Sequence, residues 1–183
     1  MHITLPLTPE ITATLRAGDA VTLSGEIYTA RDAAHARLCE LVERGELLPF
    51  ELRGATIYYA GPAPALGNRV IGSVGPTTSY RMDAYAPTLM RLGQLGMIGK
   101  GERAEAVGDA IRDCGAVYFA AVGGAGALLS ECVKSAEVIA FPELGAEAIR
   151  RLVVEDFPCI VAMDTHGGDI YRDGRQQYLS QFE

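Results

Sequence analysis

Three short segments of the sequence place a cation or a hydroxyl group beside glycines or at the start of a predicted helix. Free backbone N–H groups at such positions favour anions, and a nearby guanidinium, ammonium or hydroxyl group adds to that preference. The segments therefore indicate local anion binding. The residues concerned are Arg31 in residues 29–35, Thr77 and Arg81 in residues 75–83, and Lys100 in residues 97–101.

Each segment also has a structural interpretation. Arg31 falls in the first turn of a predicted helix, where the helix dipole favours an acid, so alone it is more often a solvated helix residue. His35, one turn later, fits a packed or capping histidine better than a catalytic base. The hydroxyl groups at 77–79 suit a turn or a helix cap, and Arg81 suits an ion pair with Asp83 or another surface acid. A lysine between two glycines is usually just exposed.

Two glycine-rich turns lie later in the chain. The Gly-Gly-Ala-Gly sequence at 123–126 resembles the start of a dinucleotide-binding fingerprint, but Leu129 stands where the third glycine belongs. A close strand-to-helix turn that borders a site is therefore the better interpretation. The His-Gly-Gly-Asp sequence at 166–169 predicts a hairpin turn and, without further ligands, no metal site.

The charge balance excludes several classes of partner. The 183 residues include 16 basic and 23 acidic side chains, with a net charge of -7 and no basic tract. This balance argues against nucleic acid or an anionic membrane as the main partner. No apolar run approaches the roughly 20 residues of a membrane span, and the N-terminus lacks a signal-peptide pattern, so we expect a cytoplasmic protein.

The cysteines are scattered along the chain. No two of them form a Cys-x-x-Cys pair, so the sequence predicts neither a zinc site nor an iron–sulfur site within this chain. Their positions are Cys39, Cys114, Cys132 and Cys159.

Strands and helices alternate along the chain, which predicts an α/β fold with a mixed, partly parallel sheet. No repeat or long linker divides residues 1–183, which are interpreted as a single domain. Glycine-rich strands near the start, at 18–28 and 54–74, indicate an additional β layer. The predicted strands are residues 21–28, 55–60, 69–74, 116–122, 137–141, 149–154 and 159–163. The predicted helices begin with one that a Thr29-x-x-Asp32 capping box opens and that stops near Gly45, followed by residues 87–96, 102–113 and 127–134.

Four motifs in one order make the sequence similar to a known family. They are LSGxIYTARDAAH at 23–35, GPTTxxRMD at 75–83, IGKG at 98–101 and VEDFP at 154–158. The pattern resembles the β subunit, or C-terminal domain, of class I fumarate hydratases and the closely related β subunit of L(+)-tartrate dehydratase. The resemblance extends over residues 18–171, nearly the whole chain.

The resemblance implies a swivelling β/β/α domain that forms one wall of an active site. In the family a separate domain holds a four-iron, four-sulfur (4Fe-4S) cluster through three cysteines, and its open iron acts as a Lewis acid on the substrate. The present sequence lacks such a cysteine set and starts just before the first motif. We therefore expect a separate fumarase α subunit to hold the cluster in a hetero-oligomeric enzyme.

The resemblance also implies roles for four residues. Arg31 and Arg81 match the motif residues that grip the carboxylates of a small dicarboxylate, and Lys100 adds a third positive charge near the charge that develops on proton loss. Thr77 matches the proposed proton-transfer residue. A threonine is a poor base, so it needs a partner, which the family supplies as an aspartate of the α domain.

Three functions stay open from the sequence. The first is reversible hydration of fumarate to (S)-malate, a reaction of the tricarboxylic acid cycle. The second is dehydration of L(+)-tartrate to oxaloacetate, which needs the same scaffold and a pocket that admits a second hydroxyl group. The third is a non-catalytic domain that binds a nucleotide at 123–126, which leaves the four matched residues unexplained.

Overall fold

A single mixed sheet of seven strands, with helices on its outside, forms the part of the chain that the computed structural model describes, residues 1–180. The α/β class with a partly parallel sheet is therefore confirmed. The strands are β1 (His2–Thr4), β2 (Ala20–Thr29), β3 (Thr56–Tyr58), β4 (Gly96–Gly99), β5 (Val117–Ala120), β6 (Val133–Ala140) and β7 (Ile149–Met163). The helices are α1 (Pro9–Thr12), α2 (Asp32–Glu43), α3 (Ala86–Arg91), α4 (Glu105–Cys114), α5 (Gly126–Glu131) and α6 (Ile170–Leu179), with 3-10 helices at Ser79–Met82 and Pro142–Glu147.

The first five strands run parallel in the order β1-β2-β3-β4-β5. The last two are antiparallel to their neighbours, since β7 pairs with β5 and β6 pairs with β7. In addition, β7 pairs with β2 along most of its length, from Ala20 opposite Ile160 to Thr29 opposite Arg150. Hydrogen bonds therefore close a ring through β2, β3, β4, β5 and β7.

One long strand replaces the two strands predicted at 149–154 and 159–163. Asp156 has a φ of 50°, and the register against β2 shifts between Leu23 and Gly25. The Asp156 N–H donates to Ser24 Oγ at 2.9 Å, so the irregular residues stay attached to β2. The Asp-Phe-Pro sequence thus forms a bulge within β7 instead of a connection between strands.

Two hydrophobic clusters hold the layers together. One lies among the strands and includes Ile27 and Val161. The other lies between the sheet and the helices α2, α3 and α4, and includes Leu38 and Ile111. The helices predicted near 32–45, 87–96, 102–113 and 127–134 are all present, but the last ends at Glu131 because β6 begins at Val133. The one near 87–96 ends early, because Gly93 adopts a φ of 108° after Arg91.

The predicted capping box of α2 is wrong. Thr29 is the last residue of β2, and its buried hydroxyl accepts from the Arg150 N–H at 3.1 Å. Arg31 occupies the N-cap position without a side-chain cap bond. The Glu147 carboxylate instead accepts from the Ala33 N–H at 3.1 Å, so an acid distant in sequence caps this helix.

The strand predicted at 69–74 is also absent. Two hydrogen bonds join this stretch to Ala63, which donates to Ser73 O at 2.9 Å and accepts from the Gly72 N–H at 3.2 Å. The partner stretch contains Pro62 and Pro64, which have no N–H to donate, so the pairing stops there.

Residues 166–169 form the predicted turn, but it leads from β7 into α6. Asp164 accepts hydrogen bonds from the N–H groups of Ala17, His166 and Gly168. Burial would raise the pKa of Asp164, but these bonds outweigh it and lower that pKa. Within residues 1–180, each helix is too short or too polar to cross a lipid bilayer.

Candidate functional site

The carboxyl ends of the parallel strands carry two of the predicted cations. Arg31 lies two residues after β2, and Lys100 directly follows β4. Because β2, β3 and β4 are adjacent and parallel, their ends meet at one edge of the sheet. The structure therefore brings Arg31 and Lys100 to the same edge, with the end of β3 between them.

Residues 75–83 fold over the ends of β3 and β4 and carry the other two candidates. The Thr77 N–H donates to Tyr59 O at 2.7 Å, just beyond the end of β3. The 3-10 helix Ser79–Met82 follows and presents Arg81. All four residues singled out from the sequence thus lie at one edge.

The hydroxyl groups of this segment differ in their contacts. Within residues 1–180, no hydrogen bond involves the side chain of Thr77, and Thr78 occupies an N-cap position without a side-chain cap bond. Ser79 is buried, and its Oγ accepts from the Lys100 N–H at 3.0 Å and lies 2.9 Å from the Tyr118 hydroxyl. Ser79 therefore attaches the segment to the end of β4, while the Thr77 hydroxyl stays available.

Asp32 lies between the two arginines. Its Oδ1 is 2.7 Å from Arg81 Nε, and its Oδ2 is 3.8 Å from an Arg31 terminal nitrogen. Glu147 lies 3.5 Å from the same Arg31 nitrogen. Of the two partners predicted for Arg81, Asp83 or another acid, the structure has the second, because the 3-10 helix turns Arg81 toward Asp32 on α2. Sequence reasoning named Asp32 only as a helix cap and missed its contact with both arginines.

Asp83 instead forms a buried ion pair with Arg103. Arg103 Nε lies 2.6 Å from Asp83 Oδ1, and the Ala104 N–H donates to Asp83 Oδ2 at 2.6 Å. The guanidinium carbon is 5.3 Å from the ring centre of Tyr59 and 4.9 Å from that of Tyr118. This cluster joins the loop after β4 to residues 75–83. No local pattern marks Arg103, because its partner is 20 residues away.

His35 is fully buried beneath this edge. Its Nδ1 lies 2.9 Å from Arg31 O, and its ring meets Tyr59 edge-on at 5.2 Å. A carbonyl oxygen only accepts, so Nδ1 carries the hydrogen. Burial lowers the pKa of His35 to about 4, which keeps the ring neutral near pH 7. The packed histidine expected from the sequence is confirmed.

The side chain of Lys100 lies over the glycine turn after β5. A β-carbon placed on Gly123 would lie 3.3 Å from Lys100 Cδ and 3.5 Å from Nζ. The chain's other lysine, Lys134, pairs with Glu155 at 3.4 Å. Among residues 1–180, Lys100 has no such carboxylate partner, so its charge is available to a ligand.

The thiols of this chain do not fit an iron–sulfur cluster. Within the described residues, no three His, Cys, Asp or Glu side chains form a group that could hold a metal ion. Burial raises the pKa of all four thiols, which favours the neutral form over the thiolate that binds iron.

Comparison with known proteins identifies the family of this chain. A family model described as Fumarase C-terminus matches residues 1–174. The anaerobic class I fumarate hydratase of Escherichia coli (strain K12) is 42% identical over 154 residues, which cover 83% of this chain and 28% of that protein. Fumarate hydratase 2 of Leishmania major is 40% identical over 156 residues, which cover 84% of this chain and 28% of that protein.

A relative of similar length also matches. The protein named "Putative L(+)-tartrate dehydratase subunit beta" from Methanocaldococcus jannaschii is 42% identical over 173 residues, which cover 91% of this chain and 89% of that protein. The chain thus spans little more than a quarter of the two fumarate hydratases but most of this subunit.

Proposed function

Because the chain belongs to the fumarase C-terminus family, we propose that it is the β subunit of a two-subunit hydro-lyase that reversibly hydrates fumarate to (S)-malate. The proposal depends above all on one observation. Arg31, Arg81 and Lys100 converge at one edge of the sheet beside an unbonded threonine hydroxyl, in a chain whose net charge is -7. Such a local concentration of cations suits a small dianion.

The arginines have donor capacity to spare for a carboxylate. Arg31 Nε is buried without a hydrogen-bond partner in the described residues, and its contacts with Asp32 and Glu147 are long, at 3.8 and 3.5 Å. A buried donor without an acceptor is costly, so a substrate carboxylate would stabilise it. Arg81 is 44% exposed and bound to Asp32 through Nε, which leaves its terminal nitrogens for a ligand.

We assign proton transfer and charge stabilisation to the other two residues. In the dehydration direction, the C3–H bond of malate breaks and its electron pair becomes the new C=C bond, while the C2 hydroxyl leaves as water after gaining a proton. The Thr77 hydroxyl would relay the C3 proton to a stronger base, which we place on an aspartate of the α subunit. Lys100 would stabilise the negative charge that builds up beside C3.

We also propose that the α subunit holds the 4Fe-4S cluster, since the thiols of this chain do not fit one. This chain then supplies the walls and donors that orient the dicarboxylate. Its own residues would bind the carboxylates and relay the C3 proton, and the α subunit would supply the base that receives this proton.

The second candidate is the β subunit of an L(+)-tartrate dehydratase. It is favoured by the match to the protein named a putative subunit of that enzyme, of which this chain covers 89% of the length. Tartrate differs from malate by one hydroxyl group. The same three cations would bind its carboxylates.

Anaerobic co-expression with the cluster-bearing subunit tests the proposal. We expect the reconstituted complex to hydrate fumarate with a higher kcat/KM than it shows for tartrate dehydration, and the purified single chain to be colourless and inactive. A preference for tartrate would select the second candidate. Fumarate hydration by the single chain without iron, or a cluster-loaded complex inactive on both substrates, would overturn the proposal.

A further inference from the structure

We propose that Gly123 is a positioning residue that sets where the Lys100 ammonium group lies. The inference deepens the proposed function, because it concerns a residue assigned there to substrate charge. It also gives a role to the glycine turn at 123–126, whose sequence resembles part of a dinucleotide fingerprint.

A methyl group on Gly123 would crowd the side chain of Lys100. A β-carbon on Gly123 would meet Lys100 at both Cδ (3.3 Å) and Nζ (3.5 Å). The first distance is tighter than ordinary van der Waals contact, and the lysine stem is flexible, so the side chain would have to move. No ion pair within residues 1–180 holds the ammonium group in place. Packing over Gly123 therefore limits its position.

The other end of the turn packs against the strand-like stretch that leads to Thr77. A β-carbon on Gly126 would lie 2.5 Å from Ser73 Oγ and 2.7 Å from the Gly75 nitrogen. Gly126 O also accepts from the Val74 N–H at 3.0 Å. One turn thus contacts both Lys100 and the segment that carries Thr77.

The same relation recurs two strands away. A β-carbon on Gly61, just beyond β3, would lie 3.2 Å from Cδ and from a terminal nitrogen of Arg31, and equally close to the backbone oxygen of Ala146. In each case the cation follows one parallel strand and lies over a glycine that follows the next strand, β2 to β3 for Arg31 and β4 to β5 for Lys100. The repetition indicates that glycines at this edge leave space for the cations.

Gly124 supplies a matched control for Gly123. Gly124 has a φ of 86°, which strains any other residue, but a β-carbon there would have no neighbour within 4 Å. Gly123 has no such φ, so Gly123→Ala fills the space beside Lys100 without that strain. The two substitutions separate an effect on Lys100 from an effect on the backbone.

The first measurement needs no activity. Lys100 and Lys134 are the two lysines of the sequence, so isotope-labelled lysine gives two side-chain NMR signals. We expect Gly123→Ala to shift the Lys100 signal and leave Lys134 unchanged, and Gly124→Ala to leave both unchanged. An unchanged Lys100 signal in folded Gly123→Ala protein would overturn the proposal. An inactive wild-type complex would leave this result standing and count against the hydro-lyase function alone.

The second measurement is a double-mutant cycle in the reconstituted complex. We expect Gly123→Ala to lower kcat/KM about threefold, since relief of the 3.3 Å contact displaces Lys100 by less than the roughly 1 Å misplacement that can cost 100-fold. In a Lys100→Met background the same substitution should lower it no further. An equal loss in both backgrounds would show that Gly123 acts through another residue.

Thermal unfolding covers the case in which Gly123→Ala is poorly folded. A fall in Tm caused by crowding of Lys100 should disappear in a Lys100→Ala background, where there is no long side chain to displace. A fall that persists there would overturn the proposal.

Discussion

Two arginine–carboxylate pairs beside residues 75–83 differ in the solvent exposure of the arginine, but their nitrogen–oxygen distances are nearly equal. In the exposed pair, Arg81 Nε lies 2.7 Å from Asp32, and in the buried pair, Arg103 Nε lies 2.6 Å from Asp83. The Arg81 side chain is 44% exposed and that of Arg103 is fully buried. A solvated pair contributes little to stability, whereas breaking a buried pair leaves a charge without partner or water.

We expect this difference in exposure to separate arginines that bind a ligand from arginines that hold the site together. Asp32 occupies only the Nε of Arg81, so we expect the terminal nitrogens to bind a ligand carboxylate while that pair persists. The buried pair is surrounded by Tyr59 and Tyr118 and links two segments of the site. A short arginine–carboxylate distance alone therefore does not identify a ligand site, and we expect the exposure of the arginine to distinguish the two roles.

The largest expected effect concerns Thr77, the hydroxyl group that we assign to proton transfer. Thr77→Val keeps the shape of the side chain and removes its oxygen, so we expect kcat of the cluster-loaded complex to fall by about 10²-fold to 10⁴-fold. Thr77→Ser should retain much more activity, because it keeps the oxygen. The measurements are kcat and the unfolding midpoint of each variant.

Ser79, two residues later, is the buried counterpart of Thr77. Its oxygen accepts from the Lys100 N–H, so we expect Ser79→Ala to lower the free energy of unfolding by about 1–3 kcal/mol. For Thr77, exchange of the malate C3 proton with solvent deuterium shows whether its hydroxyl group transfers that proton. A folded Thr77→Val enzyme that exchanges this proton at the wild-type rate would remove Thr77 from the mechanism.

The next effect tests the buried pair. Arg103→Met removes the charge and keeps an unbranched apolar stem, so Asp83 loses its partner and the free energy of unfolding should fall by about 3–5 kcal/mol. Arg81→Met in the exposed pair should cost at most about 1 kcal/mol. Urea unfolding of both variants measures the difference. Equal losses would mean that exposure does not distinguish the two pairs.

In substrate kinetics we expect Arg81, which contributes less to stability than Arg103, to matter more than Arg103. Arg31→Ala and Arg81→Ala are each expected to lower kcat/KM about 10-fold to 150-fold, equivalent to about 1.5–3 kcal/mol for a charge-assisted contact. Lysine replacements should rescue only part, since a point charge does not reproduce the planar fork. Arg37→Ala is the matched control, because Arg37 lies on α2 and pairs with Glu143 away from the edge. Wild-type kinetics in both site variants would contradict their role.

The smallest effect is a pH dependence from His35. The pKa of His35 is lowered to about 4 by burial, from 6.5, so at acidic pH the unfolded chain binds a proton that the folded one does not. Stability from this residue is complete above pH 6.5 and falls as the pH drops toward 4, by about 2 kcal/mol at pH 5. Urea unfolding at pH 7 and pH 5 measures it. His35→Gln should flatten the difference, and an unchanged pH dependence would contradict the buried neutral ring.

Much of the fold could be predicted from the sequence, because the patterns that mark its helices and strands lie within short segments. The period of buried residues around Leu38 and Ile111 gives α2 and α4, and apolar runs give β2 and β5. The errors arise from distant partners. Asp156 and Pro158 read as a break, but pairing with β2 keeps β7 continuous. The sequence predicts Thr29 as a cap, but the acid that caps α2 is Glu147, 114 positions after Ala33.

The candidate site shows the same limit. Ordered motifs single out Arg31, Thr77, Arg81 and Lys100, and the fold brings them to one edge. The residues that hold them there were missed. Asp32 contacts an arginine 49 positions later, and Arg103 pairs with an acid 20 positions earlier, so no spacing within a helix or strand marks either contact.

The closed ring of strands fixes the spacing of the strand ends that precede Arg31 and Lys100. Arg31 follows β2 and Lys100 follows β4, and hydrogen bonds through β3 and through β7 and β5 join those strands on both sides. Neither strand end can move toward the other without breaking this network. We therefore expect the proposed site to select dicarboxylates by the number of carbon atoms between their two carboxylates. This selectivity would depend on the pairing of the whole sheet and not on any single side chain.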